Sequence, residues 1–415
     1  MAETASDSPA KTLNVQCCVV GGGPAGMMLG YLLARAGIKT AVLEKHADFF
    51  RDFRGDTVHP STMTVMKELG LLDEFLKVPH DRVDKLRGLF GTTEVQLADL
   101  SRLHVPCPFI AFMPQWDFLN FLDEKGKRFA NLSVLKSHEA TELLKNGEHV
   151  TGVMVKTPNG PLRIDADLTV ACDGRHSLMR EQAGMNVQDI GAPMDVLWFK
   201  VGKPQGSADS MFARLQSGQM MIMLDRTTYW QCAYVIAKNG FEAVKAKGLD
   251  AFRNNIVKLA PLTREHIADV KSWDDVKLLS VKIDRLERWA RPGFLCIGDA
   301  AHAMSPVGGV GVNLAVQDAV ATANLLSDKF GSGGPPLADL DTVQARRLFP
   351  AKVTQAVQVF VQNKLINRAI TDQQFDPPLL LRIVSKVPFL QGLTAHLIGI
   401  GVRPEHVNSP EVKAF

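Results

Sequence analysis

The segment from Val15 to Glu44 constrains the fold more strongly than any other part of the sequence. It reads VQCCVVGGGPAGMMLGYLLARAGIKTAVLE, an apolar strand, a glycine-rich turn, a small-residue helix and a second apolar strand that ends in an acid. This order is typical of a βαβ unit that binds a dinucleotide at the start of its helix. Gly37 supplies the helix stop that the pattern requires. We therefore predict a dinucleotide site within an α/β fold.

The three glycines of the motif have separate physical roles. Gly21 permits the tight turn after the strand, Gly23 has no side chain to hold a pyrophosphate away, and Gly26 lets the helix pack closely on the sheet. Free N–H groups at the helix start favour phosphate at the same place. Glu44 ends the second strand, where a carboxylate binds a ribose diol and disfavours the 2′-phosphate of NADP.

Length and composition limit the class of protein. With 415 residues and a net charge of +3, the chain can form two or three lobes, and nothing in its charge calls for nucleic acid as a partner. Six cysteines without a CxxC pair predict reduced core residues in a cytoplasmic protein, and the first dozen residues lack the apolar segment of a signal peptide. No metal site is predicted.

The C-terminal region raises the question of a membrane. Its longest uncharged run, 387–402, has 16 residues, which is too short to span a bilayer, so we expect no transmembrane segment. An amphipathic helical lid over the second lobe is favoured over attachment to a membrane surface.

A second strand, loop and helix follow in GFLCIGDAAHAMSPVGGVGVN. The apolar strand ends at Asp299, the loop contains Pro306 and several glycines, and a helix starts near Asn313. Glycines in one loop lower stability without packing in return, which indicates a second site for a polar ligand. Arg54, in the loop before the second helix, is either a phosphate or ribose ligand or a surface ion pair, and both alternatives stay open.

The segments between the two glycine loops are rich in short β runs. A meander over 132–172 ends in DGRHSLMR, and 191–280 contains further β runs with five of the fifteen methionines between Met194 and Met223. Core packing is the favoured interpretation of the methionines, and an adaptable pocket wall is the alternative.

Three motifs, GGGPAG with Glu44, DGRHSLMR and GDAAHAMSPVGGVGVN, now stand in order. In this combination the chain resembles the single-component FAD-dependent aromatic hydroxylases, a group that includes 4-hydroxybenzoate hydroxylase and the ubiquinone-pathway hydroxylases. The resemblance implies a Rossmann-like FAD-binding domain interleaved with a mainly β-sheet substrate domain and followed by a helical C-terminal part. The expected boundaries are 1–80, 105–190 and 281–345 for the FAD-binding domain, 81–104 and 191–280 for the substrate domain, and 346–415 for the helical region.

The resemblance also implies the role of individual residues. The first glycines would bind the FAD pyrophosphate, Glu44 the adenosine ribose, Asp299 the ribityl chain, and the loop after Pro306 the flavin ring. The residues implied to bind the cofactor are Gly21, Gly23, Pro24, Ala25, Gly26, Glu44, Lys45, Arg54, Gln115, Asp173, Gly174, Arg180, Asp299, Pro306, Gly309, Gly311, Val312 and Asn313.

The implied function is monooxygenation of an aromatic or phenolic small molecule with NAD(P)H and O2 through a C4a-hydroperoxyflavin. FAD would be bound non-covalently, NAD(P)H would be a transient co-substrate, and a homodimer is among the expected assemblies. No catalytic residue is assigned, and the pocket candidates are Trp198, Met223, Tyr229, Trp230 and Pro306.

The arginine and tyrosines that hold 4-hydroxybenzoate have no counterpart here, so another substrate is expected. The alternatives are a flavoprotein of the same fold that performs epoxidation or double-bond reduction, and a non-catalytic flavoprotein subunit of a biosynthetic assembly that docks through its basic C-terminal helices.

Overall fold

The computed structural model describes residues 11–50, 57–203, 213–216, 218–226, 228–331, 333–366 and 377–412. Its strands, in chain order, are β1 (Lys11–Val20), β2 (Thr40–Glu44), β3 (Thr57–Val58), β4 (Asp81–Val83), β5 (Lys85–Phe90), β6 (Thr93–Asp99), β7 (Ile110–Phe112), β8 (Leu132–Lys136), β9 (Glu139–Asn146), β10 (His149–Thr157), β11 (Gly160–Ala171), β12 (Val187–Asp189), β13 (Met194–Gly202), β14 (Ala213–Gln216), β15 (Gln219–Arg226), β16 (Tyr229–Ala237), β17 (Lys277–Leu279), β18 (Asp284–Leu286), β19 (Ala290–Arg291) and β20 (Phe294–Cys296).

The α-helices pack against the sheets and form most of the C-terminal part. They are α1 (Pro24–Arg35), α2 (Pro60–Glu68), α3 (Leu72–Phe75), α4 (Gln115–Gly126), α5 (Leu178–Gln182), α6 (Phe241–Ala246), α7 (Leu249–Leu259), α8 (Gly311–Leu326), α9 (Leu337–Val361), α10 (Leu379–Lys386) and α11 (Pro388–Gly399). A π-helical turn, Gln362–Ile366, continues α9.

The first sheet has the order β19-β20-β11-β1-β2-β8, with β9 and β10 extending it from β11. β1 pairs in parallel with β11 on one side and with β2 on the other. Its apolar run is continuous because both of its faces are buried, and Cys17, Cys18 and Val19 are fully enclosed. Since parallel strands end at one edge of a sheet, the segments after β1, β11 and β20 lie side by side.

The second sheet has the order β17-β13-β16-β15-β14-β5-β6. All seven strands fall within 81–104 and 191–280, the segments expected to form the substrate domain. β4 also falls in this range but belongs to a small sheet with β3 and β7 instead.

The two faces of the second sheet have different partners because side chains alternate along each strand. On one face Leu197, Met221 and Tyr234 form a core with Phe252 and Ile256 of α7. On the other face Met220 and Val235 pack in a cluster with Val307, which lies in the glycine loop before α8. We call this second side the loop-facing side of the sheet.

The C-terminal helices tie the two sheets together. α9 packs against α8, and α10 and α11 both pack against β6. The outward surfaces of α10 and α11 are apolar, with Leu379 74% and Phe389 78% exposed. In the described ranges no helix has the length and apolarity needed to cross a membrane.

Candidate functional site

The turn after β1 has an open space where a ligand phosphate would lie. Gly21 has a φ of 110°, and a Cβ there would lie 2.5 Å from the carbonyl oxygen of Cys172. A Cβ on Gly26 would lie 2.0 Å from the carbonyl oxygen of Gly21, so both positions need glycine for close backbone contact. A Cβ on Gly23 would meet nothing within 4 Å.

The start of α1 is built to receive an anion. Pro24 occupies the first turn, Gly23 is the N-cap, and no side chain caps the helix. The first N–H groups of the helix therefore point, with the positive end of its dipole, to the open space at Gly23. Pro24 and Ala25 belong to this first turn, as the motif predicts.

Glu44 lies beside the same turn. A Cβ on Gly22 would be 2.9 Å from the Cβ of Glu44, and Glu44 Oε1 accepts a hydrogen bond of 2.9 Å from the His46 amide. Lys45 follows with an exposed side chain. Arg54, the third predicted ligand of this region, lies outside the described residues.

The loop after β20 provides a second open helix start. Gly308 and Gly309 have φ values of 79° and 63°, and Thr57 Oγ1 donates a 2.8 Å hydrogen bond to the carbonyl of Gly309. Gly311 starts α8, has nothing within 4 Å of its Cβ position, and α8 has no side-chain cap. The glycines therefore shape a backbone surface at the start of α8, next to Val312.

Asp299 and Asp173 place two carboxylates near these helix starts. Asp299 lies in the turn after β20, 3.6 Å from Arg175 Nη2. Asp173 follows β11, and burial raises its pKa. Its Oδ2 accepts from the Met179 amide, while its buried Oδ1 has no hydrogen-bond partner among the described residues. An unpaired buried acceptor at the sheet edge is consistent with a ligand that donates a hydrogen bond.

Arg180 was expected to bind the cofactor, and in the structure its guanidinium is hydrogen-bonded to protein groups. It donates to the carbonyls of Ala300 (3.1 Å) and Arg175 (2.6 Å) and to Asp284 Oδ2 (3.3 Å). Only 5% of Arg180 is exposed. It therefore joins the DG motif to the Asp299 turn, and a direct contact of Arg180 with the cofactor stays a prediction.

Asn313 also has a structural role that was not expected. Its Oδ1 accepts from the His59 amide at 2.9 Å and from Thr62 Oγ1 at 2.6 Å, and its side chain is buried. Asn313 thereby links the start of α2 to the start of α8. Gln115, in contrast, begins α4 with a half-exposed side chain, and Gly174 has a φ of 86° with open space at its Cβ position.

Two of the pocket candidates lie on the side of the second sheet that faces α7. Met223 and Trp230 are 3% and 1% exposed and pack in the core with α7, so their place in a pocket stays a prediction. Tyr229 is on the opposite side from Trp230 because neighbouring residues of a strand alternate. Trp198 is half-buried on the loop-facing side, where it packs with Ile222. Pro306 directly precedes Val307, which contacts that side.

Two buried features around the second loop were missed from the sequence. Asp318 on α8 accepts from the Gly298 amide and from Arg347 Nε, and lies 2.6 Å from His302 Nε2. A buried row of glutamines, on α9 and the turn that continues it, contacts the segment before the same loop: Gln355, Gln358 and Gln362. The only sequence signal for this row is the spacing of these residues on one side of a helix.

The parallel sheet with an open glycine turn at its edge defines a dinucleotide-binding protein of the doubly wound class. Residues 14–357 match the family model described as FAD binding domain, and the chain belongs to this family. The residues present fit FAD, since the first turn leaves the space at Gly23 for a pyrophosphate and the second offers uncapped N–H groups at Gly311.

Relatives with known activities cover most of the chain. The 6-methylpretetramide 4-monooxygenase of Streptomyces rimosus is 28% identical over 382 residues, which covers 92% of this chain and 91% of that protein. The 12-dehydrotetracycline 5-monooxygenase/anhydrotetracycline 6-monooxygenase of Streptomyces rimosus is 29% identical over 349 residues, covering 79% of this chain and 65% of that one.

Solved structures show the same fold. The anhydrotetracycline hydroxylase of Streptomyces rimosus aligns with a TM-score of 0.72 at 22% identity, covering 95% of this chain and 77% of that one. The p-nitrophenol 4-monooxygenase of Pseudomonas putida aligns with a TM-score of 0.72 at 19% identity, covering 93% and 97%. Together with the family match, the sequence relatives identify the chain as an FAD-dependent monooxygenase.

Proposed function

We propose that the enzyme hydroxylates an aromatic or polycyclic phenolic molecule with NAD(P)H and O2. In the balanced reaction, one oxygen atom is inserted into a ring C–H bond to give the phenol. The other oxygen atom is reduced to water by the hydride equivalent of NAD(P)H and one proton, which leaves NAD(P)+. The observation that carries the proposal is the apolar, methionine-containing loop-facing side of the second sheet, which lies against Val307 of the glycine loop.

The composition of that side favours a flat apolar ring. Met220, Ile222, Leu224 and Val235 alternate with the residues that face α7, and Trp198 borders them. Apolar walls bind a ring by removing its surface from water, at about 25 cal/mol per Å2. Flexible methionine side chains adapt to rings of irregular outline. The same walls exclude water from the place where oxygen is transferred.

The residues of the two turns would hold FAD, which supplies two-electron reduction and O2 activation when bound. The open starts of α1 and α8 would donate N–H groups to the pyrophosphate and to the flavin ring, while Glu44 and Asp299 would accept from its hydroxyl groups. Arg180 and Asn313 would fix the positions of these turns through their hydrogen bonds inside the protein.

The proposal also covers the cellular location, the oligomeric state and the substrate size of the enzyme. Six free cysteines, five of them buried, support the cytoplasm as its location. The apolar outward surface of α10 and α11 supports a homodimer that covers it. The activities of the tetracycline-type relatives support a polycyclic rather than a single-ring substrate.

Product analysis under labelled O2 tests the proposed reaction. A screen of polycyclic phenols should find a substrate that stimulates NAD(P)H oxidation, and mass spectrometry should show one labelled oxygen atom in its product. NAD(P)H consumption in proportion to an unlabelled product would instead indicate double-bond reduction. A labelled epoxide would indicate the epoxidation alternative.

A further inference from the structure

α9 presents a buried row of glutamines to the segment that carries Pro306. Gln355 and Gln358 are three residues apart and Gln362 follows four residues later, so all three lie on one side of the helix. Their exposures are 1%, 3% and 0%. Amide side chains, with two donor and two acceptor positions, are unusual in a core.

Gln358 binds the backbone on both sides of Pro306. Its Oε1 accepts from the Ser305 amide at 3.1 Å, and its Nε2 donates to the carbonyls of Ser305 at 3.0 Å and Val307 at 2.9 Å. The amide group thus pairs with Ser305 much as a neighbouring strand would. Proline has no N–H of its own, so the position of Pro306 depends on the hydrogen bonds of the residues that flank it.

The neighbouring glutamines extend this contact in both directions. Gln355 Nε2 donates to the carbonyls of Asp284 (2.8 Å) and Ala303 (3.1 Å), and Gln362 Nε2 donates to Ser305 Oγ. Ser305 Oγ in turn accepts from the Val307 amide at 3.2 Å. Residues 303–306 form neither strand nor helix, so α9 supplies the partners that a ladder would otherwise provide.

We propose that Gln358, supported by Gln355, is a positioning residue that fixes Pro306 and Val307 against the substrate wall. This position sets the fraction of the consumed O2 whose oxygen is transferred to the substrate and is not released as H2O2. The inference rests on the proposed function. Val307 packs with Met220 and Val235 on the loop-facing side of the sheet, so a shift of this segment changes the wall and the start of α8 together. If the segment that carries Pro306 is held less firmly, water enters the substrate site and H2O2 is released in place of product.

Gln344 offers a matched control on the same helix. It accepts from the Trp289 amide at 3.0 Å and donates to the Glu287 carbonyl at 2.9 Å, so like Gln358 it binds backbone N–H and carbonyl groups outside its own helix. It lies 14 residues before Gln358, about 21 Å along the helix, and does not touch the Pro306 segment. Gln→Met at either position removes the amide with little change in side-chain length.

The experiment compares Q358M and Q344M as holoenzymes by two measurements. Hydrogen exchange at the Ser305 amide should speed up about tenfold in Q358M and stay unchanged in Q344M. The ratio of hydroxylated product to NAD(P)H consumed should fall about fivefold in Q358M, with H2O2 accounting for the difference, and should remain at the wild-type value in Q344M.

Equal coupling ratios in Q358M and Q344M, or unchanged Ser305 exchange in Q358M, would overturn the proposal. Should Q358M be insoluble, Q358N replaces it, because a side chain shorter by one methylene stays polar but cannot reach Ser305. Failure of the proposed function is recognised separately, since wild type would then give no labelled product while the exchange comparison still reports on the Gln358 contact.

Discussion

At the scale of single residues, substitutions at Gly23 and Gly26 separate effects on FAD binding from effects on folding stability. A side chain at Gly23 would enter the open space at the start of α1, and its backbone, with φ of −78°, accepts any residue. Gly23→Val should therefore raise the dissociation constant of FAD at least about tenfold while leaving the melting temperature of the FAD-free protein unchanged. Equilibrium titration of flavin fluorescence measures the first quantity and calorimetry the second.

Gly26→Ala is the matched substitution. Its Cβ would lie 2.0 Å from the Gly21 carbonyl oxygen, so the turn must shift, and the free energy of unfolding should fall by about 1–3 kcal/mol even without FAD. If Gly23→Val bound FAD as tightly as wild type, the phosphate would not lie at this turn.

His59 should make stability depend on pH. Its Nδ1 lies 2.8 Å from the Ile398 carbonyl, its Nε2 has no partner among the described residues, and burial lowers its pKa from 6.5 to about 4. The unfolded chain therefore binds the proton more tightly, and stability present above pH 6.5 is lost as the pH falls towards 4. This contribution is about 3 kcal/mol.

His59→Gln removes the titrating group and tests that contribution. Between pH 6.5 and 4, urea unfolding of the variant should lose about 3 kcal/mol less stability than wild type. Parallel curves for the two proteins would show that His59 keeps an ordinary pKa in the fold.

Residue roles differ in how far the sequence could reveal them. The close backbone contacts of Gly21 and Gly26 and the open space at Gly23 follow from local backbone geometry, so the motif was sufficient to predict them. Arg180 and Asn313 lie in motifs as well, but their partners Asp284 and His59 are far away in sequence. Only the fold shows that these two side chains are hydrogen-bonded to distant protein groups.

At the scale of elements, the two sides of the second sheet should respond differently to the same substitution. Trp230 is enclosed against α7, so Trp230→Ala should lower the free energy of unfolding by about 3–5 kcal/mol and leave the substrate KM of the folded enzyme unchanged. Trp198 is half-buried on the loop-facing side, and Trp198→Ala should raise KM with a smaller loss of stability. Steady-state kinetics and urea unfolding give both values.

A raised KM in Trp230→Ala with an unchanged KM in Trp198→Ala would place the substrate on the α7 side instead. The opposite orientations of Tyr229 and Trp230 are open to sequence reasoning, because alternation is a local property of a strand. The sequence could not tell which side faces α7. That choice depends on the side of the sheet against which α7 packs, through contacts such as that of Phe252 with Phe199, which are 53 positions apart.

At the scale of the whole molecule, Arg347 joins three distant segments. Its Nε donates to Asp318 on α8 at 2.8 Å, its Nη1 lies 3.3 Å from Glu405 Oε1, and it is 1% exposed. Arg347→Met should leave two buried carboxylates without their shared cation and reduce the free energy of unfolding by about 3–5 kcal/mol.

Arg346→Met is the control, since Arg346 binds the same Glu405 from a site that is 46% exposed, and it should cost about 1 kcal/mol or less. Equal losses in the two variants would show that burial adds nothing to the Arg347 contacts. This network could not be predicted from the sequence because its members are charged residues, which usually lie on the surface.

The order of the first sheet has a consequence for how the protein is made. β1 is complete at Val20, but its neighbour β11 starts only at Gly160, and β20 follows at Phe294. At synthesis rates of about 5–20 residues per second, the β11-facing edge of β1 stays unpaired for roughly 10–30 s, until β11 has been synthesised. An apolar strand with an unpaired edge is prone to aggregate during that interval. The yield of soluble protein in a heterologous host should therefore depend on chaperones that bind the first 160 residues of the nascent chain. A lower growth temperature should raise this yield more than a change of affinity tag.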